Sequence, residues 1–346
     1  MGSKRKWMSL LILVILVIVS IALGGCGAKK EEPKPATKEE VKPITLRLAH
    51  YAAESHPLGQ AAKFFGKNAE EKSQGRLKVE IFPANSLGAP QEIAEQVRIG
   101  TLDMSLNTGG QLSQYVPQYM AIQLPFIWTG PQHVYRVLDG EGGQLLADLA
   151  AKQNFLVLSN WDWGFRHFTN SKRPINTPDD LKGLKMRVPP EKAMEASLRA
   201  LGAIPTTVSY SELYMALSQG VVDGQENPLL AIYTDKFFEP NKHVALVGYM
   251  YNNAIHLISK NAWDKMPDDL RKIVKQASEE ARDYMRKQMN DKDADITKEL
   301  EAKGVQFTRP DPAPFKKAVE PAVAELVKSI GDDFYQKWIV AVEKAK

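Results

Sequence analysis

The chain has 346 residues, of which 44% are hydrophobic and 25% charged, the composition of a globular protein rather than a disordered one. This length is enough for two α/β domains with their own cores. Three of the four excess positive charges come from Lys4, Arg5 and Lys6, and no basic block elsewhere indicates nucleic-acid binding. The single cysteine, Cys26, excludes a disulfide framework and thiol catalysis in the folded body.

The N-terminus has the pattern of a secretory leader. A basic segment precedes the apolar run Met8–Leu23, which is short for a membrane span and leads into the sequence LGGC at 23–26. LGGC resembles a bacterial lipobox, in which the cysteine is lipidated and becomes the new N-terminus. We therefore expect a signal peptide at 1–25, then lipidated Cys26 and a flexible linker at 26–43. The lipid would tether an extracytoplasmic body to the outer face of the cytoplasmic membrane or in the periplasm. The alternative is an uncleaved anchor helix.

From residue 44 onwards, short apolar runs alternate with helical patterns, the order of an α/β fold. Strands are predicted where residues alternate or form continuous apolar runs, and helices where periodic segments are bounded by proline or glycine. The strands predicted first are Ile44–His50, Leu77–Pro83, Leu102–Asn107 and Phe155–Trp161. The helices between them are predicted at 56–74, 90–99 and 131–152, with a buried apolar segment at Leu124–Trp128.

The second half of the chain continues the alternation. A helix after Pro190 ends at Leu201, and a capping-box pattern of Ser209 and Glu212 opens another, which ends at Gly220. Further strands are predicted at Val244–Tyr251, Ala254–Ile258 and Val305–Thr308, a long helix at Pro267–Gly304, and C-terminal helices at Pro312–Ile330 and Asp332–Lys346.

Three polar residues in the segment Gly164–Pro228 indicate an anion site. The predicted strand Leu184–Val188 is stopped by two prolines, which places Arg187 near its carboxyl end. Asn227 falls at another strand end, and Arg166 follows a glycine–aromatic pair. In open α/β sheets, ligands bind beyond the carboxyl ends of the strands. An arginine offers two parallel donors to a carboxylate and an asparagine can add a third, so the combination suits an organic anion.

Each of these residues also has a structural alternative. Arg187 could be a solvated strand residue, and Asn227 could be only the N-cap of a helix that Pro228 opens. Arg166 could pair with Asp162 or Asp180.

Other strand ends supply further candidates for ligand contact. His50 and Tyr51 follow the first predicted strand, and Thr108 follows the third. Trp163 flanks the crossover into the second domain, and Tyr210 lies in the first turn of the Ser209-capped helix. The alternatives are loop residues that are satisfied locally and, for Trp163 as for Trp161, core or hinge packing.

No motif for catalysis or a cofactor stands out. The six histidines are dispersed without metal-ligand spacing, and neither a G-x-S-x-G nor an H-E-x-x-H motif occurs. We therefore predict no catalytic residue, no metal and no cofactor.

Three segments carry a resemblance to a known family. They are GFRHFTNSKRPINTPDDLKGLKMRV at 164–188, SELYMALSQGVVDGQENP at 211–228 and LPFIW at 124–128. They resemble the solute receptors of tripartite ATP-independent periplasmic (TRAP) transporters of the DctP type, and the similarity runs from about Thr45 to the C-terminus. This resemblance is specific because several long motifs occur in the right order.

The resemblance implies roles for individual residues. Arg187 corresponds to the arginine of the GLKxR strand, which binds the ligand carboxylate in the family. Arg166 and Asn227 correspond to further ligand contacts, and Tyr210 to an aromatic residue that packs on the ligand. Some relatives that bind sugar acids have a glutamate where this chain has Thr108, which puts recognition of such a sugar in doubt.

The resemblance also implies the fold. It predicts a two-domain, periplasmic-binding-protein-like (type II-like) α/β fold with a ligand cleft between the domains and a long helix spanning both. Domain I would comprise 44–163 and 253–292, and domain II would comprise 164–252 and 293–346. The protein would act as a monomer.

The implied function is that of an extracytoplasmic receptor, not an enzyme. It would capture a C4-dicarboxylate, 2-oxo acid, other monocarboxylate or sugar acid by domain closure and deliver it to TRAP permease subunits for ion-gradient-driven uptake. The alternatives are a membrane-anchored hydrolase and a ligand-sensing receptor that acts on a signalling partner.

Overall fold

The computed structural model describes residues 42–290 and 292–346. The predicted signal peptide, Cys26 and the linker up to residue 41 lie outside the described residues. Within the described ranges, no helix combines the length and the apolar character that crossing a membrane requires.

The described residues form eleven strands, which are arranged in two sheets. The strands are β1 Ile44–His50, β2 Leu77–Phe82, β3 Met104–Asn107, β4 Phe155–Phe165, β5 His167–Asn170, β6 Lys185–Val188, β7 Ile204–Thr207, β8 Gly224–Asn227, β9 His243–Ala245, β10 Tyr251–Ser259 and β11 Gln306–Thr308.

Helices cover both sheets, as an α/β protein requires. The α-helices are α1 Pro57–Lys72, α2 Pro90–Ile99, α3 Gly109–Leu112, α4 Pro131–Asp139, α5 Glu141–Ala151, α6 Lys192–Ala200, α7 Leu213–Ser218, α8 Leu229–Thr234, α9 Lys260–Lys265, α10 Asp268–Asn290, α11 Asp293–Ala302, α12 Pro312–Ala318, α13 Glu320–Ile330 and α14 Asp332–Lys344. Short 3₁₀ helices lie at Pro117–Gln123 and Pro178–Leu181.

The first sheet has the strand order β2-β1-β3-β10-β4. β1 pairs in parallel with β2 and β3, whereas β10 runs antiparallel to β3 and β4. Helices α1 and α10 pack against this sheet and each other. Their apolar faces, which include Phe65, Val274 and Ala281, join Leu46 and Leu48 of β1 in one buried cluster. We call this sheet and its helices the first lobe.

The second sheet has the strand order β11-β9-β5-β8-β6-β7. β6 is parallel to β7 and β8, so the carboxyl ends of β6 and β8 lie at the same edge. β5 runs antiparallel to β8 and β9. We call this sheet and its helices the second lobe. The two sheets agree with the predicted α/β class.

The chain crosses between the lobes at two adjacent places. β4 belongs to the first sheet and β5 to the second, and only Arg166 separates them. The return crossing runs from β9 to β10, and Arg166 N–H donates to the carbonyl of Met250 in that return segment, over 2.8 Å. The two crossings are therefore joined by a backbone hydrogen bond of Arg166, which the sequence also identifies as a ligand candidate.

Two predicted helices are interrupted in the structure. The helix predicted at 131–152 divides into α4 and α5 because the backbone of Gly140 leaves helical geometry, with φ −108° and ψ −143°. The helix predicted at Pro312–Ile330 divides at Val319, just before Pro321, which cannot donate a helical hydrogen bond.

The long helix predicted at Pro267–Gly304 is also divided. Instead of one helix from Pro267 to Gly304, the described residues form α10 and α11. α10 packs on α1 and β4 of the first lobe, whereas α11 packs on α8 of the second. The segment therefore serves both lobes with two helices.

The two strands predicted at Val244–Tyr251 and Ala254–Ile258 have different bounds. Only the three residues of β9 pair in the second sheet, and the chain then turns at Gly248, whose φ of +62° is a left-handed conformation that favours glycine. From Tyr251 the chain forms the single long strand β10 in the first sheet.

Two predicted helix starts are wrong. Asn227 is the last residue of β8, and Pro228 occupies the N-cap position of the next helix, so Asn227 is not an N-cap. The helix predicted to open at Ser209 begins only at Leu213. Ser209 Oγ instead donates to the Glu212 carboxylate over 2.5 Å, and the intervening residues form a turn.

Candidate functional site

A cavity of about 250 Å³ lies at the junction of the two lobes. This volume is slightly below the common range for small-molecule sites, about 300–1,000 Å³, so a small ligand suits it. Seven of the eight predicted ligand-binding residues line the cavity; these are Tyr51, Thr108, Trp163, Arg166, Arg187, Tyr210 and Asn227. They come from strand ends and crossovers that are remote in sequence.

Arg187 presents a buried cation to the cavity. Arg187 lies on β6, which pairs with β7 and β8, and the residue is 1% exposed. Nε donates to the backbone carbonyl of Val208 over 2.8 Å, whereas Nη2 is buried and has no hydrogen-bond partner. Burial, with a contribution from Arg166, lowers the pKa of Arg187 to about 10, so the guanidinium remains charged at neutral pH. An unpaired buried donor of this kind is costly, and an anion would relieve the cost.

Arg166 lines the same cavity but already has an anionic partner. Its guanidinium forms a two-pronged ion pair with the Glu226 carboxylate, in which Nη2 lies 2.9 Å from Oε1 and Nε contacts Oε2. Burial alone would lower the pKa of Arg166, but Glu226 outweighs that effect and raises it. The sequence alternatives, Asp162 and Asp180, are not its partners in this pair.

Asn227 lies at the carboxyl end of β8 and is 2% exposed. Its amide Nδ2 donates to Gln225 Oε1 over 2.5 Å, which fixes the orientation of the side chain. Since an amide nitrogen carries two hydrogens, one donor remains for a ligand.

Three aromatic side chains form one wall of the cavity. Tyr51 packs edge-to-face against Trp163 and Tyr210, with ring centroids 4.9 and 5.8 Å apart. Tyr210 also lies under the Arg187 guanidinium, 5.8 Å from ring centre to Cζ. A wall of this kind excludes water and strengthens any ion pair that Arg187 makes.

Two candidate residues lie away from the cavity. His50 is buried outside the cavity lining, and burial lowers its pKa to about 4. Trp161 is a core residue, because its indole Nε1 donates to Ser159 Oγ over 2.8 Å and its ring is fully buried. Trp163, two residues later on the same strand, lines the cavity.

Glu191 is a cavity residue that sequence reasoning missed. Its carboxylate is 3% exposed and accepts hydrogen bonds from Thr108 Oγ1 over 2.8 Å and from Gln123 Nε2 over 2.7 Å. Burial raises its pKa, an effect that these two hydrogen bonds oppose. The available signal was position: Glu191 follows the two prolines that end β6, at the same strand end as Arg187. It occupies the N-cap position of α6 but does not cap the helix with its side chain.

The two hydrogen bonds of Glu191 join the lobes. Thr108 follows β3 of the first sheet, whereas Glu191 follows β6 of the second. The carboxylate therefore closes one side of the cavity.

Gly110 allows this close approach. A Cβ at Gly110 would lie 1.8 Å from Glu191 Oε2 and 2.7 Å from Gln123 Oε1. We expect Gly110→Ala to displace Glu191 and to lower the free energy of unfolding by about 1–3 kcal/mol, the usual range for overpacking. Urea denaturation measures the change. Gln114→Ala, at an exposed position nearby, is the control, and equal stability of the two variants would contradict the tight fit.

No cluster of three or more His, Cys, Asp or Glu in residues 42–290 and 292–346 could hold a metal ion. The cavity chemistry is that of paired and unpaired charges, hydroxyl and amide groups, and aromatic rings.

Comparison with known proteins identifies the family. The DctP family model, described as "Bacterial extracellular solute-binding protein, family 7", matches residues 48–329. The chain belongs to the DctP family. The resemblance seen in the sequence is thus confirmed, and the protein is an extracytoplasmic solute-binding protein of the TRAP type.

Individual relatives cover most of this DctP-family protein. The sialic acid-binding periplasmic protein SiaP of Vibrio cholerae is 32% identical, over 85% of this chain and 91% of SiaP. A TRAP periplasmic solute-binding protein from Sulfurospirillum deleyianum with bound succinate is 34% identical, with a TM-score of 0.81 over 87% of this chain and 99% of that structure. The sugar acid-binding protein DctPAm from Advenella mimigardefordensis, in complex with galactonate, is 28% identical, with a TM-score of 0.85 over 89% and 100%. The predicted two-domain fold is confirmed by these structures.

Proposed function

We propose that this DctP-family protein is the receptor of a TRAP transporter, and that it captures a small organic acid in the cavity between its lobes. The observation that carries the proposal is Arg187, a buried cation with an unpaired donor in the cavity lining. A ligand carboxylate would satisfy that donor and neutralise the charge. Three relatives that bind sialic acid, succinate and galactonate all bind carboxylic acids, which supports the same ligand class here.

Capture proceeds by closure of the two lobes. Thr108 and Trp163 line the cavity from the first lobe, and Arg187 and Asn227 line it from the second. A ligand that contacts both walls binds the closed form more tightly and shifts the population towards it. We propose 44–163 with 253–292, and 164–252 with 293–346, as the moving domains, hinged beside Arg166. The closed form then delivers the acid to the permease subunits in the membrane.

We further propose that the protein acts as a monomer without catalytic activity and is held at the membrane by a lipid on Cys26. A hydrolase with a serine nucleophile would need that serine to be accessible to the substrate. The serine–histidine contact between Ser278 Oγ and His256 Nδ1, 2.8 Å long, joins two fully buried side chains outside the cavity lining, so it lends the hydrolase alternative no support.

The direct test is mass spectrometry of small molecules released when the purified protein is denatured. Because tight ligands leave slowly, we expect one organic acid at a near-equimolar ratio. If the cavity is empty, thermal unfolding with succinate, 2-oxoglutarate, galactonate, glucuronate and sialic acid follows. A ligand at 100 times its Kd stabilises by about 2.7 kcal/mol, which shifts the melting temperature measurably. Failure of every acid to shift it would contradict the proposed function.

A further inference from the structure

The two arginines of the cavity are not equivalent. Arg166 is bound on two sides by the Glu226 carboxylate, and a third hydrogen bond joins its Nη2 to the Glu226 carbonyl over 2.5 Å. Arg187 makes its hydrogen bond to a backbone carbonyl and keeps Nη2 free. The cavity therefore offers a ligand one available cation, Arg187, although two arginines line it.

Glu191 adds an anionic acceptor to the same cavity. Each of its oxygens accepts one hydrogen bond, from Thr108 and from Gln123, and a carboxylate oxygen can accept about two. One acceptor position is left on each oxygen. A hydroxyl group of a ligand can donate to it, whereas a second ligand carboxylate cannot.

Arg187 and Glu191 are held by different parts of the protein. The Arg187 guanidinium lies against Val208 and Tyr210 of the second lobe. The Glu191 carboxylate lies against Thr108 and Gln123, on the side of the first lobe. Both residues line the one cavity, so a ligand whose carboxylate binds Arg187 occupies the space that Glu191 also faces.

The charge balance decides between ligand classes. The ionisable pairs at the cavity comprise two cations, Arg166 and Arg187, and two carboxylates, Glu226 and Glu191. One ligand carboxylate can form an ion pair with Arg187. A second would be buried without a cation and would face Glu191, and like charges repel strongly where water is excluded.

Building on the proposed function, we propose that Glu191 is a specificity-determining residue, which selects monocarboxylates that carry hydroxyl groups over dicarboxylates. The residue accepts a hydrogen bond from a ligand hydroxyl and repels a carboxylate at the same place. The ligand class is that of the aldonic and related hydroxy acids. Thr108 stands where some sugar acid-binding relatives have a glutamate, and in this chain Thr108 instead holds the carboxylate of Glu191 in the cavity lining.

Matched pairs of acids test the proposal. Erythronate and meso-tartrate, and likewise gluconate and glucarate, differ only in whether the far end is a primary alcohol or a carboxylate. Calorimetric titration of the purified protein at pH 8 should show binding of the hydroxy acid at least tenfold tighter than its diacid in at least one pair. Glu191→Gln, which keeps the shape and removes the charge, should narrow that ratio at least fivefold. Glu195→Gln, whose partly exposed side chain pairs with Arg199 on α6 and does not line the cavity, should leave the ratio unchanged.

The outcomes separate the two proposals. If the diacids bind as tightly as the hydroxy acids or more tightly, the proposed role of Glu191 is wrong, but the proposed function as an organic-acid receptor still holds. The same conclusion follows if only acids without hydroxyl groups bind. Failure of all acids to bind overturns both. If circular dichroism shows that Glu191→Gln does not fold, Thr108→Val takes its place, because it removes a donor that positions Glu191. A ratio unchanged in that variant overturns the role of Glu191.

Discussion

Replacing Arg187 by alanine is expected to weaken binding of the ligand acid by about 30-fold or more. The guanidinium is buried, charged and free at Nη2, so it makes a charge-assisted hydrogen bond that no neighbour replaces. Truncating one partner of such a buried pair costs about 2–5 kcal/mol, and each 1.4 kcal/mol is tenfold in affinity. Isothermal titration with the acid recovered from the protein measures the loss.

The fold should survive this substitution. Among the described residues, no carboxylate forms an ion pair with Arg187. Its removal therefore relieves an uncompensated buried charge. We expect urea denaturation of the ligand-free variant to give a free energy of unfolding equal to or above that of the wild type. Arg199→Ala, at an exposed position on α6, is the control for binding. Unchanged affinity in Arg187→Ala would remove Arg187 from the site.

Replacing Arg166 by alanine is expected to produce the largest loss of stability. Its side chain is 3% exposed and that of Glu226 is fully buried, so the variant leaves a carboxylate in the interior without its cation. Breaking a buried pair in this way costs about 3–5 kcal/mol, because the desolvated charge has no compensation. Urea denaturation of the ligand-free protein measures the loss as a lower midpoint.

Two comparisons identify the cause of that loss. The double variant Arg166→Met with Glu226→Met should recover most of the stability, since apolar residues of similar volume often replace a buried pair without loss. Arg199→Ala breaks the exposed pair with Glu195 and should cost less than about 0.5 kcal/mol. A double variant as unstable as Arg166→Ala would show that packing, rather than charge, is what Arg166 supplies.

These two experiments separate arginines that look alike in the sequence. Arg187 is expected to affect binding without affecting stability, whereas Arg166 is expected to affect stability first. The difference follows from one contact, the two-pronged pair with Glu226, which lies 60 residues away in the chain.

The sequence alone determined the features that depend on local chemistry. Alternation of apolar residues set β1 and β6, and the proline pair after Val188 placed Arg187 at a strand end. Because ligands of α/β proteins bind beyond strand ends, Tyr51, Thr108, Arg187 and Asn227 were each predictable as ligand candidates, and the resemblance to TRAP receptors implied that they share one cleft. The long motifs were enough to indicate the family.

Boundaries inside continuous patterns could not be read in the same way. Residues 244–258 are mostly apolar, and the polar pair Asn252–Asn253 predicts a strand break four residues later than the turn at Gly248 that the structure shows. The division is decided by which sheet each segment joins, and Gly248 turns the chain between them. His50 shows the same limit, since a strand end brings a residue near the cavity without turning its side chain into it.

Only the tertiary structure decided which charges are available to a ligand. Arg166 is neutralised by Glu226, and Glu191 enters the cavity because Thr108, 83 residues earlier, and Gln123 hold its carboxylate. Local sequence sets where a side chain begins, through strand period and turn residues. The charge that a cavity presents depends on pairs formed between distant segments, and in a low-dielectric interior each such pair changes the energy of a buried ligand by several kcal/mol.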